Sequence, residues 1–121
     1  MPMSRRRWGR LVYVSSAAGQ LGSANRANYA AAKEGLLGFC RSVARELAPL
    51  GVTANAVCPG CIDTPLPAGI AEKRRPELAR EIPLRRFGQA EEVAGLIAYL
   101  CGEDAAYVTG QALGINGGLR M

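Results

Sequence analysis

Histidine is missing altogether from the 121 residues, and aromatic side chains make up only 6%. Without histidine, a structural zinc site needs four ligands from cysteine and carboxylates. The spacing Cys58-Pro59-Gly60-Cys61 supplies two thiols, but Cys40 and Cys101 lie far off in apolar helical stretches. No metal site is expected, and free thiols in a reducing compartment are the better reading. Scarce aromatics, not interleaved with basic residues, argue against nucleic acid as a partner despite a net charge of +5. Basic clusters at Arg5-Arg6-Arg7, Lys73-Arg74-Arg75 and Arg85-Arg86 read instead as solvated faces, or as contacts for an acidic partner or phosphorylated substrate. No apolar run reaches membrane-spanning length, and the start of the chain has no apolar signal-peptide core, so no membrane partner and a cytoplasmic location are expected. Also absent is a Gly-x-x-x-Gly-x-Gly or Gly-x-Gly-x-x-Gly turn opening a helix, the device by which backbone amides meet a pyrophosphate.

What is present is centred on Tyr29-Ala30-Ala31-Ala32-Lys33. On a helix these two functional residues share a face, separated by a rise of ~6 Å. A phenol ordinarily titrates near 10 (about 10 in peptides), and a neighbouring cation stabilises phenolate, which brings the group closer to acid–base work at neutral pH. Upstream, the apolar run Leu11-Val12-Tyr13-Val14 reads as a buried strand closed by Ser15-Ser16. Open α/β sheets bind their ligands at such C-terminal strand ends.

In chain order, the polar residues before Gly9 read as a frayed start. A strand over 9–16 is followed by a Gly-, Ser- and Asn-rich loop over 17–27. Spacing of Leu36, Phe39, Cys40, Val43, Ala44 and Leu47 predicts a helix over 28–47, ended by Pro49 and Gly51. Gly35 and Gly38 weaken it locally, which close packing against another helix would rationalise. A second strand is predicted over 52–57. Four of the seven prolines fall between Pro59 and Pro76, so an irregular segment follows, with a short helix over 76–82; about 61–83 suits a substrate lid. An amphipathic helix over 89–101 carries Glu91 and Glu92 in its first turn and Val93, Leu96, Ile97 and Leu100 on one face. A last strand covers 112–115. Strand–helix–strand–loop–helix–strand implies a parallel sheet with right-handed crossovers.

Gly9-Arg10-Leu11-Val12-Tyr13-Val14-Ser15-Ser16-Ala17-Ala18-Gly19, Asn28 to Lys33, Asn55 to Thr64 and Val108-Thr109-Gly110-Gln111 with Asn116-Gly117-Gly118 together resemble the short-chain dehydrogenase/reductase family, and within it the β-ketoacyl-[acyl-carrier-protein] (3-oxoacyl-ACP) reductases. The resemblance runs from Gly9 onward. It implies an α/β fold, the C-terminal half of a Rossmann-type doubly wound parallel sheet with about three strands and flanking helices. Residues 1–121 would then form a partial domain lacking the N-terminal cofactor-binding half. The family's adenosine-binding strand, its Asn-Asn-Ala-Gly segment and its tetrad asparagine have no counterpart here. A truncated product, a fragment and one half of a split protein are all compatible with that pattern.

The same resemblance implies roles for individual residues. Tyr29 would be the proton donor, Lys33 would hold the nicotinamide ribose and lower the phenol's pKa, and Ser16 would hold the substrate oxygen. Catalytic residues are therefore Ser16, Tyr29 and Lys33, and substrate contacts Ser16, Tyr29 and Cys61. Tyr29, Lys33, Pro59, Gly60, Ile62 and Thr64 would meet the cofactor, NADP or NAD, the Ile62 backbone facing the carboxamide. Cys61 departs from the bulky apolar residue common there. Arg7 falls near a basic position that carrier-protein reductases use, whereas Leu50 occupies the second. A ketone substrate, small or carried by acyl carrier protein, is implied, with a homo-oligomer or a complementing N-terminal half as partner. Two classes follow: an NAD(P)-dependent oxidoreductase, and a non-catalytic remnant or interaction subunit. Cofactor binding by this chain alone is expected to be negligible.

Overall fold

A computed structural model describes residues 2–16, 24–65 and 70–121, including side chains except at 70–73. The predicted loop over 17–27 lies largely outside the described residues, as does part of the 61–83 segment.

Helix α1 (Pro2–Arg6) leads into strand β1 (Gly9–Val14), followed by helix α2 (Ala27–Leu47) and a 3₁₀ turn, Ala48–Leu50. Strand β2 (Val52–Pro59), a two-residue strand β3 (Ile62–Asp63) and helix α3 (Ile70–Glu81) come next. Strand β4 (Gly88–Gln89), helix α4 (Ala90–Cys101) and strand β5 (Ala112–Ile115) complete the chain. The main sheet has the order β1-β2-β5, all parallel. Parallel neighbours need long crossovers; α2 makes the first and the 61–111 segment the second.

β2 is the central strand, with Val52 through Cys58 all buried. Period-two alternation sends its residues to two cores. Ala54, Ala56 and Cys58 pack with Leu37, Cys40 and Ala44 of α2, whose three- and four-residue spacing makes one helical stripe. Val57 packs on the other face with Leu100 and Ala105, joined by Val93, Leu96 and Ile97. The apolar face read for α4 is the one that buries. On α2 Cys40 and Ala44 bury as read, but the stripe is completed by Leu37 while Phe39 stays 55% exposed, so the buried face is rotated from the expected one.

Several expectations are corrected. The residues before Gly9 are not frayed: α1 is helical, Trp8 N–H returns to Met3 O at 3.3 Å and Arg7 donates from Nη2 to Pro49 O at 3.0 Å. Arg5 and Arg6 sit in its last turn, where cations suit the helix dipole. β1 stops at Val14 rather than Ser16, and β2 continues to Pro59. α3 spans 12 residues and holds Pro76 inside it. The β3–β4 ladder was not predicted, because a two-residue strand carries no periodic signal. Among the described residues nothing lies within 4 Å of where a side chain would start at Gly35 or Gly38, so no described helix packs closely there. Among the described residues, no helix is long and apolar enough to cross a membrane.

The start of α4 is held by more than the helix dipole. Glu92 accepts from Gln89 N–H at 2.8 Å and receives both Arg86 nitrogens, at 2.9 and 2.7 Å. The Arg86 hydrogen bond, helped by the backbone one, lowers the Glu92 carboxyl from 4.5 to about 2. A depressed carboxyl stabilises the fold fully above its unfolded value and loses that contribution as pH falls through its folded value. Glu92→Ala should therefore lower Tm by a constant amount from pH 7 to about 5, and the difference should close between 4.5 and about 2. Circular dichroism melts across that range test it; a Tm gap as large at about pH 2 as at about pH 7 would contradict the assignment.

Candidate active site

Because Val14 pairs with Val57 in parallel register, the C-terminal ends of β1 and β2 lie side by side. Ser15-Ser16 leave one end and Pro59-Gly60 the other, which puts all four at the ligand-binding edge of an open α/β sheet.

α2 meets this edge through Lys33. Its Nζ donates to Val14 O at 3.2 Å, and the Ser15 hydroxyl donates to Lys33 O at 2.8 Å. These two reciprocal bonds staple the end of β1 to the second turn of α2. Ser15 N–H goes to Val57 O, so by strand alternation the Val14 carbonyl faces away from β2, where Lys33 reaches it. Tyr29 lies one turn earlier on the same face, its ring centroid 5.7 Å from Lys33 Nζ and 4.2 Å from Arg26 Cζ. The structure thus brings Tyr29, Lys33 and the Ser15–Ser16 strand end into one neighbourhood. Ser16 is half-buried and Ser15 is 4% exposed. Sequence reasoning passed over Ser15 and Arg26. A serine pair at a strand end leaves open which member ties the helix, and only the fold shows that Ser15 does.

The second strand end is shaped by close contact. Gly60 N–H donates to Ile115 O at 3.0 Å, and a Cβ on Gly60 would lie 2.8 Å from Asn116 Cβ. Only glycine allows this approach. Asn116 in turn accepts from Gly118 N–H at 3.0 Å through Oδ1. Between them Gly117 has φ 63°, and a side chain there would start 2.7 Å from Ile82 Cγ2. Leu84 N–H bonds to Gly117 O at 3.1 Å. The Asn116-Gly117-Gly118 turn therefore seats both the Pro59-Gly60 loop and the segment that follows α3.

Past Gly60 the chain runs through Cys61, Ile62, Asp63 and Thr64. Cys61 borders a cavity of about 110 Å³ with Ile62, Leu84, Arg86, Glu92 and Asn116, and no α2 residue lines it. Thr64 is exposed, and Asp63 pairs with Arg75 at 2.8 Å. All four cysteines are free. Burial pushes the Cys58 thiol up, partly opposed by the Ser15 hydroxyl, and burial with Glu81 pushes Cys61 up. Both shifts run opposite to what a thiolate nucleophile needs.

A nicotinamide cofactor can be tested against these groups. An ammonium has three N–H donors; the bond to Val14 uses one at Lys33, leaving donors for ribose hydroxyls. Gly88 N–H bonds to Cys61 O, so by alternation the N–H and C=O of Ile62 face away from β4. That is an available amide-binding pair beside exposed Thr64. These residues fit the nicotinamide–ribose end. For the pyrophosphate the sequence has no glycine-rich turn.

Comparison with known proteins adds identity to this geometry. A family model described as Enoyl-(Acyl carrier protein) reductase matches residues 1–120. A 3-oxoacyl-[acyl-carrier-protein] reductase FabG of Pseudomonas aeruginosa is 47% identical over 119 residues, 98% of this chain and 48% of that protein. The Aquifex aeolicus FabG is 45% identical over 117 residues, 97% of this chain and 47% of its own length. The Mycobacterium avium reductase MabA is 44% identical over 119 residues, 98% of this chain and 47% of its own. The chain spans about half the length of the curated relatives it matches. With a parallel sheet, a Tyr29/Lys33 helix face set against a serine-bearing strand end, and matches over nearly all its residues, the chain belongs to the short-chain dehydrogenase/reductase family.

Proposed function

We propose that this chain carries the proton-transfer and substrate-facing half of an NAD(P)-dependent ketone/alcohol oxidoreductase site. Its substrate class is a 3-oxoacyl chain on acyl carrier protein, the substrate named in its relatives. The carrying observation is the placement of Lys33 one turn from Tyr29 and hydrogen-bonded to the end of β1.

When bound, the nicotinamide supplies or accepts the hydride. On this chain, Tyr29 Oη gives a proton to the substrate oxygen in reduction and takes it back in oxidation. Ser16 Oγ donates a hydrogen bond to that oxygen and stabilises the charge developing on it. Lys33 would hold the ribose hydroxyls, while Pro59, Gly60, Ile62 and Thr64 would border the nicotinamide. Cys61 adjoins the substrate side of this loop. The exposed basic run Arg5-Arg6-Arg7 suits an acidic carrier, although the Arg7 guanidinium already spends one donor on Pro49 O. A cytoplasmic setting agrees with four free thiols.

A second chain completes the site in this reading, either a complementing cofactor-binding half or another copy. Support comes from β1, which ends the sheet order, and from Phe39, which is 55% exposed on α2. Uncovered edges seek partners. The competing reading, a non-catalytic interaction subunit, draws on the missing glycine-rich turn. Supplying the first half of the Pseudomonas aeruginosa relative as a second chain separates the two. NADPH-dependent reduction of a 3-oxoacyl thioester should appear and fall at least ~100-fold in Tyr29→Phe, the usual scale of a lost general acid. Activity insensitive to Tyr29→Phe would refute the role given to Tyr29.

A further inference from the structure

Over residues 74–81, helix α3 buries little that would hold it in place. It is 12 residues long with Pro76 inside, and none of its residues 74–81 is buried. Helices this short are marginal in water, and an interior proline removes a backbone donor and crowds the preceding turn.

Arg75 supplies a tether. Its Nη2 is 2.8 Å from Asp63 Oδ2, and its Cζ is 4.7 Å from the centroid of the Phe87 ring. Asp63 belongs to β3 and Phe87 immediately precedes β4, so one side chain fastens the helix to both strands of the small ladder. Both contacts are reversible. The pair is part-exposed, with side-chain exposures of 33% and 40%, and therefore open to screening. The two flanks of the segment are built differently. On one side Cys61 O accepts from Gly88 N–H at 2.9 Å. On the other Ile82 is 1% exposed and abuts Gly117, with Leu84 hydrogen-bonded behind it.

We propose that Arg75 is a releasable latch. It docks α3 on β3–β4 through Asp63 and Phe87, and its release lets α3 leave the ladder while Ile82 and the ladder stay in place. Asp63 lies between Ile62 and Thr64, so occupancy of those two positions is coupled to the latch. That coupling rests on the cofactor reading given above; the latch itself does not.

Hydrogen–deuterium exchange on the whole chain, without cofactor, separates the two. Arg75→Ala should raise exchange of the 77–81 amides about tenfold, the combined scale of an exposed ion pair and a cation–π contact. Asp63→Asn should raise it less, and Arg75→Lys should recover part of the protection. Amides of Val52–Pro59 should not change in any of them. Equal exchange in wild type and Arg75→Ala, or a rise shared by β2, would overturn the latch. Should Arg75→Ala fail to fold, wild-type protein at low and high salt reads the same contact. Added salt should then speed exchange in α3 and leave β2 alone, and a salt-independent α3 would overturn it.

Discussion

Titrating the purified chain with NADPH or NADH should reveal no micromolar site. Among the described residues the contacts on offer lie at the nicotinamide end, Lys33 donors, the outward-facing amide of Ile62 and exposed Thr64 being the polar ones. A dinucleotide also carries a pyrophosphate and an adenosine, and phosphate groups are ordinarily met by a helix N-terminus behind a glycine-rich turn. No such turn occurs in the sequence. Forfeiting ~5 kcal/mol of binding raises a dissociation constant several-thousand-fold, which turns a micromolar site into a millimolar one. Calorimetry on the chain alone is the direct measurement. A stoichiometric micromolar heat would show that this half-domain, alone or as an oligomer, builds its own cofactor site. Ketone reduction by the chain alone should be undetectable for the same reason.

Asn55→Leu should be the most damaging near-isosteric change in the core. Asn55 sits in the middle of β2 and is 1% exposed. Its Nδ2 donates to Val108 O at 2.8 Å, and its Oδ1 accepts from Gln111 N–H at 3.1 Å. Those residues begin and end the turn that delivers the chain into β5. Around them Gly110 N–H bonds to Ala54 O and Ala56 N–H to Gln111 O, so the side chain completes a local extension of the β2–β5 pairing. Leucine fills a similar volume but leaves a carbonyl and an amide without their partner, at ~1–3 kcal/mol each where they are desolvated. A total of about 3 kcal/mol would lower Tm by on the order of 10 °C. Urea unfolding measures it against Ser42→Ala, an exposed helix position expected to be near neutral. A loss below about 1 kcal/mol would mean that water replaces both bonds.

Much of this was readable in advance, and particular residues show why. Leu11 to Val14 read as a strand and form one, although Val14 is 46% exposed at its end. Cys40 and Ala44 read as part of one helical stripe, which the fold completes with Leu37. These are periodic signals, local in sequence. Tyr29 and Lys33 were legible for the same reason, since four residues on a helix return to the same face. Asn55, by contrast, entered only as the first residue of a matched motif, with no structural role attached. Its partners lie 53 and 56 residues away, a distance that no local pattern spans.

The sequence by itself determined the fold class, the order of the main elements, the family, and the residue types at the candidate site. Fold class and element order depend on side-chain periodicity, whereas the family and the site residues rest on the resemblance of short motifs; neither needs three-dimensional context. Tertiary structure decided the rest. It made Ser15 the tie to the Lys33 backbone and turned Lys33 onto the Val14 carbonyl. It folded the first residues into a helix against Gly9 and paired Ile62-Asp63 with Gly88-Gln89. It also brought Arg75 to Asp63 and Phe87. Every one of those outcomes joins groups from different elements. Their energies depend on approach and direction over a few ångströms, which only a folded chain specifies.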